Sequence, residues 1–297
     1  MKCKSVISCV MVTCLCLAGT AVAQGQVYAG AGQAFESSGG LVGGFDVLFL
    51  RAYGGGYDQW MHAAVSGSSM TPSNDFEISP RVWLGYVGES GFGVRSRWFQ
   101  YQHELKAGTG VFEDWPGQGQ QSEGRNFLDV YAVDIDFMQQ IELGCWDVNA
   151  GAGIRAGGVK RNTTLQFGSA APSTITSRFE GVGPTIFAEL KRPIIGTGLS
   201  LVANARGSVL FGDGAFDHPG LPFGPDAGKV DSVVAVGEIQ LGAEYARQLG
   251  YGTTGFVQCL WEGQIWSNAS HYLEYTNELE RADLGLMGIA FNFGIAR

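Results

Sequence analysis

Apolar and polar residues alternate one by one along many stretches of this 297-residue chain. In the run that begins at Val133, apolar side chains stand at every second position, and Asp134 and Asp136 lie between them. The C-terminal run from Met287 to Ile295 alternates apolar residues with Gly, Ala and Asn in the same way. A period of two puts successive side chains on opposite faces of an extended strand. The alternation therefore predicts an all-β protein.

The alternation predicts ten strands, each long enough to cross a membrane as a tilted strand of about 9–11 residues. They cover 42–53, 76–87, 92–103, 126–143, 146–160, 176–191, 199–212, 229–247, 252–266 and 282–296. The connections are 54–75, 88–91, 104–125, 144–145, 161–175, 192–198, 213–228, 248–251 and 267–281, and long and short ones alternate. Outer-membrane barrels have short periplasmic turns and longer outside loops. We therefore predict an antiparallel transmembrane β-barrel of about ten strands, within a range of eight to twelve.

The N-terminus has the pattern of a secretory signal peptide. Lys2 and Lys4 precede an apolar run over 5–19, and Ala21 to Ala23 form a small-residue cleavage site. We predict a cleaved signal peptide over 1–23 and a barrel over 24–297, with an uncleaved anchor as the alternative. The predicted location is the outer membrane of a Gram-negative-type bacterium.

Two cysteines remain after cleavage, because four of the six lie within the signal peptide. Strand parity places Cys259 on the lipid face, and Cys145 falls in a short turn. A disulfide needs Cα atoms within about 7 Å of each other, so we predict no bridge between them.

Charge and aromatic residues narrow the class of protein. The net charge is −9 with a pI near 4.9, which argues against a nucleic-acid partner, since such proteins carry basic patches. Aromatic residues fall near the strand ends, as in the girdles of membrane barrels. The predicted girdle residues are Tyr53, Tyr101, Tyr131 and Trp266 at the outer rim and Tyr86, Trp146, Tyr245 and Tyr251 at the periplasmic rim.

Parity also predicts which ionisable side chains face the lumen. The predicted lumen lining is Asp46, Arg95, Arg97, Asp134, Asp136, Arg155, Glu189, Arg206, Glu238 and Glu262, and the same parity holds for Arg81, Glu142, Lys191 and Glu244. Barrels of eight strands fill their interior with side chains, and those of 16–18 strands leave a channel. The inward charges are therefore either a plug of paired groups or the lining of a narrow pore.

Chemistry in the outside loops is the remaining possibility. The four histidines lie in or beside the long connections, and acidic residues lie close to three of them. The candidates are His62, His103, His218, His271, Asp58, Asp217 and Glu274. The chain has no HExxH, no GxSxG and no phosphate loop, and no two histidines have ligand spacing. We expect solvated loop residues, no metal, no cofactor and no enzymatic activity.

The stretch Phe179-Glu180-Gly181-Val182-Gly183-Pro184 is a distinctive motif, and five further stretches accompany it in order along the chain, at 44–51, 151–155, 198–201, 210–212 and 261–266. Together these stretches resemble the Legionella-type major outer-membrane protein family of pore-forming barrels. The resemblance covers about 42 to the C-terminus. It implies an outer-membrane barrel with channel activity and supplies no catalytic residues.

We therefore expect a porin-like barrel that passes small solutes or ions. The alternatives are a non-conducting structural or adhesive barrel and an outer-membrane hydrolase that uses loop residues. The expected partners are outer-membrane lipid, the barrel-assembly machinery and a second copy of the chain in a homo-oligomer.

Overall fold

The computed structural model describes the backbone of residues 39–54, 75–111, 121–167, 173–217, 227–273 and 279–297. The predicted signal peptide lies outside these residues. The strands are β1 (Gly40–Gly54), β2 (Glu77–Val87), β3 (Phe92–Val111), β4 (Gln121–Leu143), β5 (Trp146–Phe167), β6 (Ser173–Pro193), β7 (Leu199–Asp217), β8 (Ala227–Gly250), β9 (Thr253–Leu273) and β10 (Leu279–Ala296). Within the described ranges, no helix is long and apolar enough to cross a membrane.

The ten strands form one closed antiparallel barrel, which confirms the predicted fold class. Each strand pairs with its neighbours in sequence, and β1 also pairs with β10, where Val42 is the register partner of Ala296. The backbone N–H of Arg297 donates to the carbonyl of Leu41 at 3.0 Å and ties the two termini together. Closure pairs the edge strands, so their N–H and C=O groups are satisfied within lipid.

The outer ends of the strands run further than predicted. Residues 104–111 and 121–125 were expected in a loop, yet β3 and β4 pair there as far as Val111 and Gln121. The connections 168–172 and 194–198 are both five residues long, so the strict long–short alternation does not hold. Backbone pairing does not require apolar and polar residues to alternate. The outer ends of β5 and β6, for example, carry a polar contact between Thr164 Oγ1 and Thr174 Oγ1 at 3.1 Å. The apolar pattern therefore marks only the part of each strand that faces lipid.

An apolar band covers the outward face. On β8 it runs from Val233 to Tyr245, both exposed, which spans about 30 Å along the membrane normal for a strand tilted by about 45°. The girdle prediction is wrong for two residues, because Tyr101 and Trp266 are fully buried inside the barrel. Both stand at inward parity, and their rings fill the lumen because a ten-strand barrel leaves space there.

Gly183 and Pro184 interrupt the ladder between β6 and β7. Register pairs resume on either side, at Val182 with Phe211 and at Thr185 with Ser208. A Cβ on Gly183 would lie 1.9 Å from the carbonyl oxygen of Val209, so only glycine permits this close approach of the two strands.

Both cysteines of the described region are free and exposed, Cys145 in the turn between β4 and β5 and Cys259 on β9. The two lie in separate parts of the barrel wall, so no bridge links them.

The orientation of the barrel predicts which connections are accessible from outside. Epitope tags inserted in 112–120 or 218–226 should bind antibody on intact cells, and tags in 88–91 or 251–252 should bind only after the membrane is permeabilised. The reason is that short turns of such barrels face the periplasm. Antibody binding to intact cells through the short turns would show that the orientation is inverted.

Candidate functional site

A layer of charged side chains crosses the middle of the barrel and is called the ion-pair layer below. Its members are Asp46, Arg81, Arg95, Arg97, Asp134, Asp136, Arg155, Glu189, Arg206, Glu238 and Glu262. They come from nine strands, all except β10. All ten residues predicted to line the lumen are among them.

Asp134 is the most heavily shared carboxylate of this layer. Arg155 donates to it twice, from Nε to Oδ1 at 2.7 Å and from Nη2 to Oδ2 at 3.1 Å. The Nε of Arg97 donates to Oδ2 at 2.8 Å, and Nη1 of Arg206 lies 3.7 Å from Oδ1. Asp134 and Arg155 are both fully buried. Three guanidinium groups thus depend on one carboxylate.

Asp136 organises a second group of contacts. Arg206 binds it in a bidentate manner, at 2.9 Å to Oδ1 and 2.7 Å to Oδ2. Arg95 reaches Oδ2 at 3.3 Å and Glu189 at 2.7 Å. The ring of Phe187 lies beside both arginines, with centroid distances of 4.9 Å to Arg95 and 4.7 Å to Arg206. The aromatic face therefore stabilises both cations beside their shared carboxylate.

Arg81 contacts two carboxylates, Asp46 on the neighbouring strand β1 and Glu262 on β9. Its Nη1 lies 3.1 Å from Asp46 and 3.0 Å from Oε2 of Glu262, and its Nη2 also contacts Glu262. The side-chain amides of Gln240 and Gln264 each donate to Glu262 at 2.6 Å. Glu262 is fully buried, and these donors offset its loss of water.

Several of these pairs cross the lumen, because they join strands that are not neighbours in the barrel. Arg81 of β2 contacts Glu262 of β9. Arg97 of β3 and Arg155 of β5 both contact Glu238 of β8, at 3.0 and 2.6 Å. Such contacts bridge the interior. The ion-pair layer is therefore a septum rather than a ring along the wall.

Apolar side chains fill the lumen on both sides of the septum. Toward the outside lies the outer apolar layer, formed by Leu48, Leu50, Tyr101, Leu128, Phe179, Leu210, Trp266, Leu284 and Leu286. Toward the periplasm lies a smaller cluster of Val42, Val87, Met138, Phe187 and Ala296. The described conformation is closed at the centre of the barrel.

Within the septum there is room for single water molecules. A cavity of about 20 Å³ is lined by Arg97, Phe187, Glu189, Asn204, Ala205, Arg206, Glu238 and Gln240, enough space for one water. The same layer contains buried polar atoms without a hydrogen-bond partner among the described residues, such as Nη1 of Arg155 and Nε of Arg95. The charged layer therefore has room for water only locally.

The other inward residues lie away from the septum. Lys191 pairs with Glu244 nearer the periplasmic end, and Glu142 is exposed at the mouth. At the outer end, Nδ1 of His103 lies 2.7 Å from Glu77. Asp217 is exposed. Five loop candidates, His62, His218, His271, Asp58 and Glu274, lie outside the described side chains, and no group in the described part could hold a metal ion.

Sequence reasoning missed the uncharged members of the site. Phe187, Gln240 and Gln264 were not singled out, although all three stand at inward parity on their strands. Counting amide and aromatic residues at that parity would have found them.

The chain was compared with known proteins. A family model described as Legionella pneumophila major outer membrane protein precursor matches residues 41–296. No curated protein sequence matches the chain.

Two solved outer-membrane proteins are similar in structure at low sequence identity. The outer membrane protease OmpT from Escherichia coli is 8% identical, covers 86% of this chain and 96% of its own, and has a TM-score of 0.48. The toluene transporter TodX from Pseudomonas putida is 10% identical, with coverages of 87% and 89% and a TM-score of 0.35. The family model spans every strand of the barrel, and the chain therefore belongs to the Legionella pneumophila major outer membrane protein family.

Proposed function

We propose that the protein is an outer-membrane pore of low conductance for small ions, and that the described conformation is its closed state. The observation that carries the proposal is the content of the septum: six carboxylates and five guanidinium groups in one layer. Well-packed apolar residues often stabilise a protein as much as buried ion pairs do, and apolar residues already fill the neighbouring layer. Filling the lumen does not by itself require charges, whereas charged side chains are one of the usual linings of an ion path.

Opening would separate the pairs that cross the lumen. Glu238 accepts from both Arg97 and Arg155 and is the link between β8 and the opposite wall. Water already has space next to Glu238. Rotation of this side chain away from the two arginines would extend that space through the septum. Movement of the outer apolar layer would then open the rest of the path.

A second candidate is a non-conducting structural barrel. The fully buried leucines and aromatic rings of the outer apolar layer favour it, since they close the lumen independently of the charges. The expectation that the protein is not an enzyme stays a prediction, which hydrolysis of a peptide and phospholipid panel would test.

Conductance in planar bilayers distinguishes the two candidates. We expect channels of small conductance from the wild-type protein and a severalfold larger conductance from Glu238→Ala. The reason is that this change removes the ion pairs of Glu238 with Arg97 and Arg155. Glu142→Ala is the matched control, since it removes an inward glutamate at the mouth that forms no ion pair in the described part of the chain. Absence of conductance in both the wild type and Glu238→Ala would favour the structural barrel. An increase in conductance with Glu142→Ala as large as that with Glu238→Ala would show that the septum is not the constriction.

A further inference from the structure

Three carboxylates stand side by side on the outward surface of β6, β7 and β8. Glu180, Asp213 and Asp231 are consecutive register partners and are exposed; they are called the acidic row below. Two residues nearer the membrane centre, the same strands carry Val182, Phe211 and Val233, which are exposed apolar register partners. The acidic row therefore marks the outer boundary of the lipid-facing band on this side of the barrel.

A row of cations lies two residues further out. Lys160 of β5 is the register partner of Arg178 of β6, and Ala215 of β7 separates Arg178 from Lys229 of β8. The three cations are exposed and are called the basic row. With strands about 4.8 Å apart, the row is about 14 Å wide, and it lies about 7 Å from the acidic row.

A solvated rim of self-neutralising charges is the simplest explanation for these rows, and two observations weigh against it. Lys160, Arg178 and Lys229 take part in none of the ion pairs formed among the described residues, although Asp129 of β4 is the register partner of Lys160 and the acidic row lies two residues away. Like charges directly opposite each other on neighbouring strands are destabilising, and the border of the hydrocarbon region strengthens their repulsion. The arrangement leaves donors and acceptors available in two parallel rows.

We infer that this surface binds a phosphorylated glycolipid of the outer leaflet. Phosphate groups accept from the basic row, in which Arg178 offers two parallel N–H donors. Sugar hydroxyl and amide N–H groups donate to the acidic row, which lies nearer the membrane. The acyl chains pack on the apolar residues below. Between its phosphate and its acyl chains a phospholipid has only glycerol ester groups, which have no hydrogen-bond donor, so it would leave the acidic row without donors at that depth. The surface therefore selects for a sugar that carries phosphate.

The test measures lipid retention by native mass spectrometry of the folded barrel in detergent micelles, with diphosphoryl lipid A as the probe. The variant Lys160→Gln/Arg178→Gln/Lys229→Gln removes the basic row. We expect about tenfold to a hundredfold weaker retention, since each cation near a membrane surface contributes to the attraction of anionic lipid. Heat-modifiable migration on gels checks that the variant is folded, and Arg178→Gln alone is the substitute if it is not, with a smaller loss in the same direction.

The control removes three exposed cations at the opposite end of the barrel, by Arg192→Gln/Arg247→Gln/Arg297→Gln. Arg247 lies on β8, the strand that also carries Lys229. We expect this variant to retain lipid A as the wild type does, because outer-leaflet headgroups do not reach the periplasmic end. Equal losses in the two triple variants would overturn the inference, since they would show a general effect of charge.

Ligand comparisons test the chemistry. We expect dephosphorylated lipid A and phosphatidylglycerol to bind the wild type more weakly than diphosphoryl lipid A, and inorganic phosphate not to displace it at millimolar concentration. Glu180→Gln/Asp213→Asn/Asp231→Asn should weaken retention of lipid A and leave that of phosphatidylglycerol unchanged. Equal retention of lipid A and phosphatidylglycerol by the wild type, or of the phosphorylated and dephosphorylated forms, would overturn the assignment.

Discussion

Replacing Asp134 with Asn is expected to lower the free energy of unfolding of the barrel by about 3 kcal/mol, because removal of one partner leaves buried charge without compensation. Asp134 is the shared acceptor of Arg97 and Arg155 and lies 3.7 Å from Arg206. The side chain of Arg155 has no exposed surface, so water cannot replace the lost carboxylate without a rearrangement. Urea titration of the protein in lipid vesicles, read by the shift between folded and unfolded gel bands, measures the change.

The same strand supplies the control. Asp129 faces outward on β4 and, among the residues that the structure describes, accepts only from the amides of Gln100 and Gln102, at 3.3 and 3.4 Å. Asp129→Asn should therefore change the free energy of unfolding by less than about 1 kcal/mol. Adding Arg155→Gln to Asp134→Asn should recover part of the lost stability, since one of the uncompensated cations is then removed. A loss as large for Asp129→Asn as for Asp134→Asn would contradict the central role of the septum.

Neutralising Asp134 and Asp136 together is expected to reverse the ion selectivity of the pore. The septum holds six carboxylates and five guanidinium groups, an excess of one negative charge that favours cations in the wild type. Asp134→Asn/Asp136→Asn leaves four carboxylates and the same five cations, an excess of one positive charge. Fixed charge in a narrow lumen selects ions of opposite sign. The reversal potential under a salt gradient should therefore change sign.

Two further measurements constrain this result. Asp129→Asn/Asp217→Asn makes the same change in total charge on the outward face and should leave the reversal potential as it is. At 1 M salt, where the Debye length is about 3 Å, the difference between the wild type and the septum variant should shrink. A reversal potential of unchanged sign in the septum variant would mean that these two carboxylates do not face the conducting path.

The sequence alone determined the strands and the direction of their side chains. Val133 and Ile135 had to face lipid and Asp134 and Asp136 the lumen, because a strand offers only two faces and a charged side chain on the lipid face is destabilising. The same rule placed Arg97, Asp134 and Arg155 on one face. The short turn 144–145 also sets the register of Asp134 with Arg155, whereas the register of Arg97 with Asp134 depends on how far β3 and β4 extend.

The tertiary structure decided which side chains pair across the lumen and where the strands end. The pairs Arg81–Glu262 and Arg97–Glu238 join strands far apart in sequence, and the stagger of the closed barrel sets their heights. Tyr101 and Trp266 were expected in the girdle, but they fill the lumen of the closed barrel. The space available to them depends on the width of the interior, which is set by the number and tilt of all strands. Beyond the membrane, backbone pairing extends β3 and β4, and such pairing requires no periodic pattern in the sequence. Local alternation of apolar and polar residues determines which face of the strand a side chain occupies. Its contact partner across the lumen depends on how the whole sheet closes.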